Sequence, residues 1–245
     1  MNSICRNLVC GVRISALSLL LASGSAQAVT FDFLTNDGGF TPTANGTSGF
    51  TWASGQGWST PGQDSVATNT LISPILFVQS NGFISISLSH RYNFEGLEQL
   101  GYDGGQLLYG FGGNFFTPLP GTDFSANGYN FLIDTTELSP IAGQEAWSSV
   151  SDGYDNNQYI TSTAILPVSL SMGEQVQIQL LGAWDRSEVY TSPNWQSQSV
   201  TVSNAELTPV VAVPLETDAL PVAVAGLFMA GGFWWKRKRT QGREL

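Results

Sequence analysis

From Ile84 onward, the stretch Phe83-Ile84-Ser85-Ile86-Ser87-Leu88-Ser89-His90-Arg91-Tyr92-Asn93-Phe94 alternates apolar and polar residues. Successive side chains of a strand point to opposite faces. Ile84, Ile86, Leu88, His90, Tyr92 and Phe94 therefore share one face, and Ser85, Ser87, Ser89 and Arg91 share the other. A long strand that is apolar on one side and polar on the other belongs to an antiparallel sheet with a core beneath it and water above. Val176, Ile178, Leu180 and Trp184 repeat the pattern against Gln175, Gln177 and Gln179. Further strands are expected over 71–78, 106–111, 159–165 and 199–202, with 31–34 and 49–52 opening the domain. Turn signals separate them at Asn81-Gly82, Asp103-Gly104-Gly105, Gly112-Gly113-Asn114, Asn127-Gly128 and Met172-Gly173. Residues 30–207 show no sustained helical period and no fixed repeat. The expectation is an all-β chain, with antiparallel sheets packed face to face as a β-sandwich.

Composition bounds the chemistry. Two basic residues, Arg91 and Arg186, face sixteen acids between positions 29 and 213, a formal charge of −14 with no lysine. Such a surface cannot neutralise phosphates, which excludes nucleic acid as a partner. It is compatible with divalent cations. Both cysteines, Cys5 and Cys10, precede an apolar leader, so a mature chain beginning after it has no thiol for a disulfide, a zinc site or a nucleophile.

The two ends read as addresses. Arg6 and Arg13, the apolar run 14–21 and the small-x-small sequence Ala26-Gln27-Ala28 make a signal peptide over 1–28, with signal peptidase cutting before Val29. The β domain is expected over 29–208 and a linker over 209–218. Seventeen uncharged residues, 219–235, then form a short candidate transmembrane helix. Lys236, Arg237, Lys238 and Arg239 follow as a membrane stop at the head of a basic cytoplasmic tail, 236–245. That orientation leaves the β domain outside the cell.

A short Pro/Glu motif, a short apolar helix and a terminal Arg/Lys cluster resemble the PEP-CTERM class of bacterial sorting tails. Pro214-Leu215-Glu216-Thr217-Asp218-Ala219-Leu220-Pro221 is similar to the variant common in cyanobacteria, without the second proline of a Pro-Glu-Pro motif. The resemblance implies an exosortase-like transpeptidase as partner, Pro214, Leu215 and Glu216 as the sorting motif, and release to the surface. Permanent anchoring by a single span is the alternative. The class is associated with exopolysaccharide.

Several segments of the middle domain resemble a jelly-roll module of secreted bacterial proteins, related to concanavalin-like and MAM-like sandwiches. They are 88–95, 102–107, 110–116, Ala146-Trp147-Ser148 and Ser192-Pro193-Asn194-Trp195. That resemblance implies an accessory or recognition domain of the kind that binds glycans or Ca²⁺.

The residues themselves offer three candidate sites. His90 is the only histidine and lies on an apolar strand face, which makes it a core residue and leaves no triad or histidine-based zinc site to build. Glu95 and Glu98, like Asp134 and Glu137, are three apart and would point to opposite faces of a strand, so no carboxylate pair for hydrolysis is evident. Glu95, Asp103, Asp152 and Asp155 could together supply oxygens to Ca²⁺. Aromatic rings could stack on sugars. For each tryptophan the core is the favoured place; Trp58, between Gly57 and Ser59, is the first candidate for exposure, and Trp58 and Tyr154 are the candidate stacking rings. The functional expectation is an exported, noncatalytic surface module for adhesion or binding of extracellular polysaccharide. The alternatives are a secreted carboxylate-based hydrolase and a purely structural coat protein.

Overall fold

The computed structural model describes residues 27–97, 100–113, 115–136, 138–185 and 193–207. Two seven-stranded sheets enclose one core. Across the first run β12 (Phe124–Ala126), β15 (Ile160–Ile165), β7 (Ser85–Tyr92), β17 (Trp195–Ser203), β4 (Gly57–Thr60) and β3 (Thr51–Ala53). β1 (Ala28–Asp32) also pairs with β17, through residues 199–203, whereas β4 pairs with residues 195–197. Across the second run β11 (Phe116–Pro118), β10 (Gly104–Phe111), β16 (Gln175–Trp184), β5 (Ala67–Ile72) and β2 (Thr41–Ala44). β6 (Leu76–Val78) joins the start of β16 to β18 (Ala205–Glu206). Two small pairs, β8 (Gly96–Leu97) with β9 (Leu100–Gly101) and β13 (Phe131–Leu132) with β14 (Glu145–Ala146), form two-stranded sheets of their own. Two 3-10 turns, Gly121–Asp123 and Tyr154–Asn156, complete the described elements.

The chain is an antiparallel β-sandwich, and its longer strands alternate between the sheets. β4, β7, β15 and β17 lie in the first, and β5, β10 and β16 in the second. The alternation expected of 84–94 holds: Ile84, Ile86, Leu88, His90, Tyr92 and Phe94 are buried. Val176, Ile178 and Leu180 of β16 meet them from the opposite sheet in the same core. Part of that core is aromatic: the Trp195 ring meets those of His90, Phe94 and Trp147, and His90 meets Trp147, in edge-on or tilted contact. Each of the five described tryptophans gives its indole N–H to an acceptor, which removes the cost of burying that group.

The outer face of the first sheet is a carpet of hydroxyls. Ser85, Ser87 and Ser89 of β7 stand in register with Thr201 and Ser199 of β17 and with Thr163 and Thr161 of β15. Cross-strand hydroxyl pairs join Thr30 to Thr201 and Ser85 to Ser203.

Two local expectations fail for identifiable reasons. The single strand expected over 71–78 is two strands, because Pro74 has no N–H for the ladder and separates β5 from β6. Gly104 and Gly105 do not turn the chain; they open β10. They are glycines because of close approach. A Cβ at Gly104 would lie 2.8 Å from that of Ala146, and one at Gly105 would lie 3.1 Å from the Trp195 ring.

No helix among the described residues is long and apolar enough to cross a membrane. The expected leader through Ala26, the sorting motif Pro214-Leu215-Glu216, the span 219–235 and Lys236 to Arg239 all lie outside the described residues. Ala28 is the first residue of β1.

Candidate functional site

Two arrangements of polar side chains stand out. The first is a carboxylate cluster. The β8–β9 hairpin folds Glu95 back over Asp103, so the Glu95 carbonyl accepts the backbone N–H groups of Tyr102 and Asp103. β10 pairs antiparallel with β16, with Gly104 opposite Ala183, and this brings Asp185 to the same end. The carboxylate oxygens of Glu95, Asp103 and Asp185 lie within 4.8 Å of one another. Asp103 Oδ1 accepts the backbone N–H of Asp185 at 2.7 Å. Asp103 and Asp185 are both 2% exposed, while Glu95 is half-buried. Burial, then the charges of Asp185 and Glu95, raise the Asp103 carboxyl to about 8 against a lowering by the Asp185 N–H. The cluster can hold a proton on Asp103 at neutral pH, or a divalent cation across its oxygens.

The four residues expected to bind Ca²⁺ are thus divided. Glu95 and Asp103 come together, but their third partner is Asp185, which spacing in sequence gave no reason to choose. Asp152 and Asp155 are outside this group. Both are exposed, on the loop around the Tyr154–Asn156 turn. The charge of Asp152 adds to burial in raising the Tyr92 hydroxyl.

The second arrangement is a polar cleft of about 450 Å³ on the outer face of the first sheet. Arg91 forms its floor, at the polar end of the alternation in β7. Gln196 stands opposite it on β17, and Ser59 of β4 stands opposite Gln196. A bulge between Ser197 and Ser199 turns Gln198 toward the same cleft. The β3–β4 turn adds Gly55 and Gln56, and the loop before β15 adds Asn157 and Tyr159. Two backbone devices hold these walls. Gly57, at φ +86°, lets β4 lie on β17 where a Cβ would come within 2.2 Å of the Ser197 carbonyl oxygen. Asn157 takes a left-handed φ of 57° at the end of the 3-10 turn.

Arg91 is fixed by neutral groups. Its Nε donates to Gln196 Oε1 at 3.0 Å, and Nη1 donates to the Tyr154 carbonyl at 3.4 Å and to Asn157 Oδ1. Its guanidinium lies 5.1 Å from the Tyr154 ring centre and 5.3 Å from that of Tyr159. Burial raises the Tyr159 hydroxyl, while the Arg91 charge and hydrogen bonds from Arg91 and Gln198 lower it. Gln196 in turn donates Nε2 to the Gln56 carbonyl at 2.6 Å.

The expected stacking residues are corrected here. Trp58 is 5% exposed and gives its indole N–H to the Asp37 carbonyl. It faces inward because β4 is a strand of the first sheet, which places Trp58 on the core side and Ser59 on the cleft side. Tyr154 is half-buried beside the cleft, with its hydroxyl donated to the Pro193 carbonyl and its ring against Arg91. The ring that lines the cleft is Tyr159.

No family model matches the sequence, and no curated protein matches it. Similar solved structures include the C-terminal carbohydrate-binding module, a CBM6, of the marine laminarinase LamC from Zobellia galactanivorans. It is 12% identical with a TM-score of 0.35, over 72% of this chain and 99% of that one. The carbohydrate recognition domain of Emp46p matches in its potassium-bound form at 12% identity and TM-score 0.37, and as a point mutant at 14% and 0.34. Each covers 70% of this chain and 89% of that one. At such identities and TM-scores the likenesses bear on neither ligand nor site.

Proposed function

We propose that this is a noncatalytic, exported jelly-roll module that binds extracellular polysaccharide through the Arg91 cleft. The observation that carries the reading is the cleft's chemistry: three glutamines, an asparagine, a serine, an arginine and a tyrosine ring on one concave surface. Sugar rings offer hydroxyls to amides and guanidinium, and apolar C–H faces to an aromatic ring. A few fixed polar groups around a ring are what orient a small ligand. The hydroxyl carpet running away from Arg91 gives an extended chain polar contacts beyond the cleft. The alternation of long strands between the two sheets supports the jelly-roll architecture.

Burial weighs against the hydrolase alternative. Hydrolysis of a glycoside needs both carboxyl groups at the scissile bond. Asp103 and Asp185 are each 2% exposed, out of reach of a polymer. Export and sorting through Pro214, Leu215 and Glu216 form the second half of the proposal, supported by the order of motifs at the two ends of the chain. Intact mass of the protein from its native surface tests it, with a start at Val29 and an end near 214–217 expected.

Affinity electrophoresis of the full chain through gels containing different polysaccharides tests the binding. Retardation by at least one polysaccharide, lost in Tyr159→Ala and Gln198→Ala at unchanged melting temperature, is expected. Retardation untouched by both variants would move the site elsewhere.

A further inference from the structure

Arg91 is the only lysine or arginine among the described residues, which hold thirteen acids. A cation in such company would ordinarily be held by a carboxylate. Among the described residues, no carboxylate pairs with Arg91. Its partners are amide oxygens, a backbone carbonyl, the Tyr159 hydroxyl and two tyrosine rings, and all are neutral. The group is half-buried, so part of its hydration is gone without a negative charge in return. Fixed by neutral groups and facing an open cleft, the guanidinium keeps its full charge for whatever enters.

We infer that the cleft is selective for an acidic sugar residue, one whose carboxylate or sulfate group docks on Arg91. This rests on reading the cleft as a glycan site. The guanidinium supplies the charge-assisted contact, and its clamped position means little side-chain freedom is lost on binding. Gln56, Ser59 and Gln198 stand close enough in the same cleft to take the hydroxyls of that ring or its neighbours. A neutral sugar would cover the guanidinium further without bringing it a negative charge. An anionic one supplies that charge.

Calorimetric titration of the full chain separates the possibilities, with four probes: a uronic-acid hexasaccharide, its methyl ester, a sulfated neutral hexasaccharide and the same hexasaccharide without sulfate. The free uronate or the sulfated sugar is expected to bind at least about tenfold more tightly than its uncharged counterpart. Preference for the uronate assigns a carboxylate, and preference for the sulfated sugar assigns a sulfate. Arg91→Gln should erase the preference. The methyl ester makes the same comparison on the unaltered protein, so the outcome does not depend on how well that variant folds. Equal binding of charged and uncharged sugars would overturn the inference and leave the glycan site standing. No binding of any probe would overturn both.

Discussion

The indole N–H of Trp195 donates to Nδ1 of His90 at 3.0 Å, with both side chains fully buried. An indole nitrogen can only donate, so Nδ1 accepts and the imidazole proton sits on Nε2. Nε2 then donates to Ser162 Oγ at 2.8 Å, and Ser162 donates to the Asn127 carbonyl at 2.5 Å. The single histidine is the centre of a relay of hydrogen bonds between β17, β7 and β15.

That relay needs a neutral ring, and burial lowers the His90 pKa from 6.5 to about 3. A group with a depressed folded-state pKa contributes stability above its unfolded value and loses it as pH falls. The domain should therefore lose stability from about pH 6.5 down toward 3, with a slope approaching about 1.4 kcal/mol per pH unit. Melting curves of the parent and His90→Gln check this. The variant should melt lower at pH 7 and show a flatter acid limb.

Asp103 acts in the opposite direction. Its folded-state pKa is raised from 3.8 to about 8, so its contribution to stability is full below pH 4, falls progressively as pH rises through that window and is gone above 8. Asp103→Asn keeps the shape without the titration. It should melt higher than the parent at pH 8.5, with the gap closing as pH falls toward 4. Millimolar Ca²⁺ in the same assay distinguishes a cation from a proton. A rise at pH 8.5 in the parent that Asp103→Asn lacks assigns a cation to Glu95, Asp103 and Asp185.

Gly57 carries both a left-handed backbone and a carbonyl contact that leaves no room for a Cβ. Gly57→Ala should separate β4 from β17 and destabilise the domain by more than about 1 kcal/mol, with loss of the cleft wall as well. Gly55, at φ +76° with open space around it, is the control. Gly55→Ala should cost less. Chemical denaturation of the two variants gives the comparison.

Trp58 belongs to the core, so Trp58→Ala should destabilise by about 3–5 kcal/mol, whereas an exposed stacking residue would leave stability unchanged. Thermal melting of the variant decides between these roles.

The sandwich was legible because long strands with one wet face carry a period of two, and 84–94 and 175–180 carry it without help from the rest of the chain. The short strands were less legible. β4 holds a tryptophan between a glycine and a serine, and composition there reads as loop although Trp58 points into the core. Asp103-Gly104-Gly105 reads as a turn, because glycine for close packing and glycine for a left-handed φ look the same in sequence. Two of the three carboxylates of the cluster were legible, and Asp185 was not, since the pairing of β10 with β16 brings it beside Asp103 from 82 residues away. The cleft was missed altogether. Arg91 was visible on the polar face of its strand, but Ser59, Tyr159, Gln196 and Gln198 meet it only through the first sheet and a bulge in β17.

Hydrogen exchange of the full chain, with and without a retained polysaccharide, is the most direct test of the Arg91 cleft as the binding site. The account predicts new protection confined to 55–59, 154–159 and 196–198, with the aromatic core and the carboxylate cluster unchanged. Protection that leaves those three segments untouched and appears elsewhere on the sandwich would contradict it.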